Sequence, residues 1–195
     1  MPLKPFGEYE DLARIAHGHL CAGQILGLRM ALCGVRLLEL DDPAGKDRKR
    51  LVTYVEIDRC MTDAIGVVTG CRLGKRALKF RDFGKAAATF CDLERQRAVR
   101  IAARETSKQR AQEMFPEIAE KNQQQMRAYR ELSDEELFEV QWVRVATPPE
   151  DLPGYKAPRV VCEACGEGIS FRREIARDGR TLCRACAGES YYTPL

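Results

Sequence analysis

The sequence is poor in histidine. The 195 residues contain only two, His17 and His19, and they stand two positions apart. Long apolar runs are also missing, since nothing approaches the roughly 20 residues needed to cross a bilayer. The start of the chain, "MPLKPFGEYEDLARIA", lacks the apolar h-region of a secretory signal. Together these absences lead to the expectation of a cytoplasmic protein with no membrane partner. Charge of one sign is scarce as well. A net charge of +3 is too weak by itself to imply a nucleic-acid partner. No internal repeat is evident.

Cysteine, by contrast, is plentiful, with nine residues. In a reducing compartment that number points to metal or thiol chemistry rather than disulfides, and an odd count cannot pair fully within one chain. A hydrophobic fraction of 45% against 31% charged supplies enough apolar material for a core. The length suits one ordinary domain, or a domain with a small appendage.

Residues 8–16 have the periodicity of a helix, with Tyr9, Leu12, Ala13 and Ala16 on one side. "AGQILGLRMALCGVRLL" reads as a second, mostly buried helix. Residues 51–58 alternate in the manner of a strand, and "CMTDAIGVVTG" follows as a short helix. "ALKFRDFG" and "AATFCDLERQRAVRIAA" read as two more strands, the second long enough to bend. Residues 105–131 are polar and helix-prone, with a break at Pro116. Ser133 and Glu136 offer a capping box, and "LFEVQWVRVA" closes the series as a strand. "TPPEDLPGYKAPR", with four prolines in 13 residues, reads as an extended linker.

Beyond the linker, Cys162-x2-Cys165 and Cys183-x2-Cys186 are separated by 17 residues. Each C-x2-C knuckle presents two thiolates from one tight turn, and two knuckles complete the tetrahedral shell of a structural zinc. The competing explanations are two redox pairs or idle thiols. So short a segment has little core of its own, so a metal must supply much of its stability. From Val160 to Leu195 there are five Arg, no Lys and five acidic residues. Such a module does not neutralise phosphates on average. Nucleic acid is therefore not the expected partner, and protein contact is the better default. Residues 72–110 pull the other way, with 12 Lys plus Arg against 4 acids, although a solvated strand face explains that equally well.

The N-terminal stretch "IAHGHLCAGQILG" sets His17, His19 and Cys21 at alternate positions. They converge if the backbone is extended or sharply turned, and Gly18 permits a turn. Imidazole and thiolate together suit zinc, and also iron, cobalt or nickel. The plainer alternative is two buried, hydrogen-bonded histidines at a helix start. Cys60, at the end of a strand, is a candidate fourth ligand, and Asp63 lies one helical turn on. Cys21, Cys60 and Asp63 are the candidate catalytic groups, with a Cys/His thiol enzyme as one reading. Cys71, Gly74 and Lys75 sit in a Gly-rich turn that is a candidate cofactor or anion cradle, though it lacks P-loop spacing. Cys33 and Cys91 have no partner at ligand spacing and read as core.

Three ordered blocks, "HGHLCAGQILGLRMA", "DRCMTDAIGVVTGCRLGK" and "FRDFGKAAATF", resemble the FmdE family, the E component of formylmethanofuran dehydrogenase, over roughly residues 15–100. The C-terminal C-x2-C pair resembles the treble-clef zinc finger that some members append. The resemblance implies an α+β core, commonly dimeric, with a metal-binding His/Cys cleft. It implies a link to molybdenum or tungsten formylmethanofuran dehydrogenase operons, methanogenesis and one-carbon metabolism. By position, His17, His19 and Cys21 match the first motif, Cys60 and Asp63 the second, and Cys71, Gly74 and Lys75 the third. Ala22 stands where proline is usual, Arg72 where threonine is usual, and Arg76–Ala77 where Gly-Asn is usual. The departures at 72, 76 and 77 adjoin the candidate cleft, so its ligand is expected to differ here.

The expected fold is thus α+β: an antiparallel-sheet core packed with helices over residues 1–146, a linker over 147–159, and a treble-clef or zinc-ribbon module over 160–195. The expected cofactors are one structural zinc in the finger and zinc or another transition metal in the core. The expected partners are a second copy of the chain and proteins of a dehydrogenase-type oxidoreductase complex. Whether the chain is itself an enzyme, an accessory protein or a regulatory interaction module stays open. The homodimer is motivated by the apolar surface of the second helix and of the strands 77–103, more than a core of this size needs to cover, and the family resemblance points the same way.

Overall fold

In the computed structural model, which describes residues 3–194, the chain forms two compact units, one up to Val145 and one from Ala146 onward. In the first unit, helices α1 (Phe6–His17) and α2 (Ala22–Leu37) come first. Strand β1 (Leu51–Val55), helix α3 (Cys60–Thr69) and strand β2 (Leu78–Phe80) follow. Strands β3 (Ala87–Asp92) and β4 (Arg97–Ala103) form a hairpin. Helices α4 (Thr106–Met114), α5 (Lys121–Glu131) and α6 (Asp134–Leu137) lead to strand β5 (Phe138–Val143). The sheet order is β2-β1-β3-β4-β5, antiparallel except for the parallel β1–β2 pair. The unit is α+β.

The stretch read as one long strand over 87–103 is two strands, and the physical reason is Asp92. Its Oδ1 accepts from the N–H groups of Glu94 and Arg95 at 3.0 and 3.3 Å, which closes a turn that Gln96 completes at φ 51°. The Arg50 guanidinium holds Asp92 from the other side, with Nη2 2.5 Å from Oδ2. Burial opposes ionisation of Asp92, but Arg50 and the two N–H groups outweigh it and keep the carboxyl below its usual range. The pairing leaves β2 at an edge of the sheet and covers the other two strands within 77–103 on both sides. Strand β3 finds both neighbours, β1 and β4, within the chain, and β4 lies between β3 and β5.

Helix α2 is the centre of the core, with eleven of its residues buried. It rests on the sheet at Gly34, where an added Cβ would enter the Phe90 ring. Its Arg29 donates to the carbonyls of Tyr129 and Leu132 at 2.7 and 2.8 Å, closing the C-terminal end of α5. The Ser133–Glu136 capping box is formed at the start of α6. On α3, residues Met61 and Ala64 face Gly23 and Gly27 of α2. A Cβ at Gly27 would lie 2.5 Å from the Met61 carbonyl oxygen and 3.0 Å from the Ala64 Cβ. Gly23 faces Cys60 and Met61, so the contacts advance along both helices together and the two run parallel.

In the second unit, β6 (Val160–Val161) pairs with β7 (Gly168–Ile169), and β8 (Ile175–Arg177) pairs with β9 (Arg180–Leu182). Asp178 and Gly179, both at positive φ, make the tight turn between β8 and β9. The Pro-rich segment is not simply extended. It contains a 3-10 turn over Pro149–Asp151, and Asp151 pairs with Arg173 at 3.2 Å.

Gly27→Ala is expected to destabilise the core by about 1–3 kcal/mol, because the clash is with backbone that cannot swing away. Gly7→Ala in α1, where nothing lies within 4 Å of an added Cβ, should be neutral or slightly stabilising. Denaturant unfolding of both variants checks this. Equal stability of the two would remove the close approach of α2 and α3 as a constraint.

Candidate metal centre

Helix α1 ends at His17, and Gly18 turns the chain in the left-handed region at φ 90°. Cys21 is extended, at φ −142° and ψ 168°, and is the N-cap of α2. A left-handed turn followed by extended backbone brings alternate side chains round to one side. One ligand atom each of His17, His19 and Cys21 lies within 4.8 Å of the others. The two imidazole centroids are 4.8 Å apart.

Cys60 is the first residue of α3, and the parallel packing of α2 and α3 sets it beside Cys21. The Cβ position of Gly23 lies 3.4 Å from the Cys60 Cβ and 3.8 Å from the Cys21 Sγ. Neither helix start carries a capping side chain, since Cys21 and Arg59 occupy the N-cap positions. The Ala22 N–H is taken by Asn122 Oδ1 at 2.8 Å. The positive ends of two helices therefore face the thiols. Burial first, and then the Cys21 thiol, push Cys60 up. Two adjoining thiols do not both ionise cheaply without a cation between them, and a divalent metal supplies that charge. The donor set of two imidazoles and neighbouring thiols fits zinc or a related transition metal.

Asp63 sits one turn beyond Cys60, and its Oδ2 is 2.8 Å from His17 Nδ1. An ionised carboxylate accepts, so Nδ1 carries the proton and Nε2 keeps its lone pair. That is the orienting contact found behind most metal-bound histidines. The sequence makes Asp63 a catalytic candidate, whereas its contact makes it the support of His17. A cavity of about 410 Å³ adjoins this pair, lined by His17, Asp58, Arg59, Cys60, Thr62 and Asp63. Thr62 spends its hydroxyl proton on the Ile57 carbonyl at 2.6 Å.

The third motif does not join the cleft. Ten residues of α3 at about 1.5 Å each set its far end about 15 Å from Cys60. Cys71 lies past that end, buried, taking a hydrogen bond from Thr53 Oγ1 at 3.5 Å. Burial pushes its thiol up. Gly74 and Lys75 belong to an exposed 3-10 turn over Leu73–Lys75. The expected cofactor cradle of Cys71, Gly74 and Lys75 is thus apart from the His/Cys cluster, and so are Arg72, Arg76 and Ala77. Cys33 and Cys91 are core thiols, both pushed up to about 12 by burial. Asn122, Asp58 and Arg59 were not anticipated. Asn122 acts from 100 residues away and leaves no local signal, while Asp58 and Arg59 lie within or beside the quoted second block.

In the finger, one ligand atom each of Cys162, Cys165, Cys183 and Cys186 lies within 4.8 Å of the others. The Sγ atoms of Cys165 and Cys183 are 3.9 Å apart. Tetrahedral Zn–S bonds of about 2.3 Å require sulfurs about 3.8 Å apart, so four thiolates fit. The Cys183 N–H donates to Cys162 Sγ at 3.2 Å, and the Cys186 N–H to Cys183 Sγ at 3.4 Å. Backbone N–H groups of Cys165 and Cys183 bring the Cys162 thiol down to about 6. Cys165 and Cys186 are raised by neighbouring thiols, Cys186 most of all by Cys183. The module buries only a small cluster of Cys162, Ile169 and Leu182.

Comparison with known proteins agrees with this division. Residues 16–139 match the family model described as FmdE, molybdenum formylmethanofuran dehydrogenase operon. Residues 156–192 match the prokaryotic dksA/traR C4-type zinc finger. A protein of Archaeoglobus fulgidus described as a probable S-adenosyl-L-methionine-binding protein is 32% identical over 202 residues, covering 92% of this chain and 52% of the relative. The chain thus spans about half of that relative's length. The crystal structure of a tungsten formylmethanofuran dehydrogenase FmdE-like protein from Syntrophus aciditrophicus superposes with a TM-score of 0.66 at 22% identity. The match covers 96% of this chain and 95% of the other, and it shows a shared fold. With the family model spanning well over half of its residues, the chain belongs to the FmdE family and carries a C4-type zinc finger after the FmdE core.

Proposed function

We propose that the core binds one catalytic-type transition metal on His17, His19 and Cys21, with Cys60 as the ligand contributed by α3. In this reading the protein serves anaerobic one-carbon metabolism of the formyl/methanofuran type. The observation that carries the metal is the Asp63–His17 contact beside the His/His/Cys cluster. A histidine placed merely for packing has no need of a carboxylate on one nitrogen and of a second imidazole and a thiol within 4.8 Å. The adjoining cavity supports a centre with an open position rather than a closed structural one. Such a metal, when bound, polarises a carbonyl or lowers the pKa of a bound water. Around it, Asp63 fixes the His17 ring and its tautomer, Gly18 sets the angle of His19, and the α2 start presents Cys21. The family name, through its formylmethanofuran dehydrogenase operon, supports the one-carbon assignment and an accessory role beside a dehydrogenase.

Elemental analysis of anaerobically purified protein should find two metals per chain. His19→Ala should leave one, with the finger's zinc retained. Two metals in that variant would overturn the core site. Asp63→Asn should weaken core metal binding by about 10–100-fold in competition with a chelating dye, since it removes only the support of His17. Unchanged affinity would mean that the carboxylate does not orient a ligand. Cys183→Ser should lose the finger's zinc and unfold residues from Val160 onward, while the core keeps its metal and its unfolding transition. Unchanged zinc content would show that the four cysteines do not share one ion.

A further inference from the structure

We infer that the open position of the core centre takes a monocarboxylate ligand, held between the metal and the Arg59 guanidinium. The inference rests on the metal reading above and adds to it the class of ligand. The first observation is room. The cavity of about 410 Å³ far exceeds the share of about 30 Å³ that one water needs, so it admits an organic molecule beyond a metal-bound water. The second is Arg59 itself. Several arginines of this unit are committed: Arg29 to carbonyls and Asp134, Arg50 to Asp92, Arg100 to both carboxylate oxygens of Glu56. Arg59 is exposed, and what sets it apart from other exposed arginines is its place on the cavity wall. Arg59 lines the cavity, and its side chain has no ion-pair or hydrogen-bond partner among the described residues. A guanidinium presents a planar fork of donors that matches a carboxylate in two parallel hydrogen bonds.

The third observation is placement. Arg59 immediately precedes Cys60 in extended backbone, at φ −114° and ψ 174°, so its anchor is one residue from a proposed metal ligand. A carboxylate can then offer one oxygen to the metal and share its remaining charge with Arg59. Asp58 lines the same cavity and is also without a side-chain partner among the described residues. Its charge opposes a second negative group on the ligand, which favours monocarboxylates over phosphates and dicarboxylates. Its oxygens can accept from a hydroxyl or amino group on the ligand's neighbouring carbon.

The test uses the full chain loaded with Co²⁺, whose visible bands respond to a change of ligand. Acetate is the probe, and acetamide is its neutral counterpart of equal shape. His19→Ala gives the spectrum of the finger's cobalt alone, and a closed four-thiolate site should ignore acetate. Acetate is expected to shift the core bands saturably in the wild type, and acetamide is not. Arg59→Ala should raise the acetate midpoint by about tenfold or more with unchanged bands before acetate is added, and Arg59→Lys should recover part of the loss. If the wild type holds only the finger's cobalt, the metal reading fails and this inference fails with it. If core cobalt is present but acetate leaves its bands unmoved, the carboxylate inference alone is overturned. It is likewise overturned if acetamide acts equally, or if Arg59→Ala binds acetate as tightly as the wild type.

Discussion

The close parallel packing of α2 on α3 is the constraint on which the rest of the core depends. Gly23 and Gly27 leave no side chain between the two backbones, and Met61 and Ala64 occupy the space so vacated. Without that approach, Cys21 and Cys60 would begin their helices too far apart to meet. The same approach fixes α1. Its last residue, His17, reaches Asp63 on α3, and the buried Gln24 of α2 donates from Nε2 to the Ala13 carbonyl of α1 at 3.1 Å. Three helices are thus locked at one end by a seam of glycine, a carboxylate–imidazole contact and one amide.

The electrostatic consequence follows from direction. Because the seam is parallel, both helices aim their positive ends at the same point. An antiparallel pair would have set a C-terminus against one of the thiols and disfavoured its ionised form. Serine, threonine or aspartate at either N-cap would have offered a side-chain acceptor to the first-turn N–H groups and turned the helix starts into ordinary ends. Cysteine and arginine stand there instead. Local helix stability is given up at two caps, and the neighbouring groups are a ligand cluster and a cavity. The same trade appears in the finger, where backbone N–H groups point at Cys162 and Cys183 sulfurs rather than at carbonyls.

What the sequence made legible was whatever is written over a few consecutive residues. The helix periods of α1 and α2, the capping box at Ser133, the two C-x2-C knuckles and the His-x-His-x-Cys run are all short-range patterns. The turn at Asp92 escaped because it lies within an otherwise strand-like run and depends on one carboxylate held by Arg50, 42 positions away. Asn122 escaped for the same reason, at greater separation. The third motif misleads through its adjacency in sequence to the second. Residues that follow directly on a ten-residue helix emerge at its opposite end, and Cys71, Gly74 and Lys75 go there with it. The role of Asp63 was half legible. Its spacing from Cys60 placed it on the correct helix face, but only the return of α1 showed that it serves His17.

The two candidate metal centres of this chain differ in a way that bears on what each can do. The finger offers four ligands of one type, drawn from two hairpin-borne knuckles within 25 residues. Every position on a tetrahedral ion is then filled, and the gain is the folding of a segment whose apolar cluster is too small to fold unaided. The core needs no such help. Its helices and five-stranded sheet already bury an extensive apolar cluster, so a metal there is not required to hold the fold together. Its candidate ligands are of two types, they come from the ends of elements, one of them is backed by a carboxylate, and a cavity lies alongside. A site that stabilises a fold has no use for an adjoining space or for an unpaired arginine on its wall. A site that must admit and orient a ligand needs both, and this is the physical ground on which the proposal gives the finger's cluster a structural role and the core cluster a chemical one.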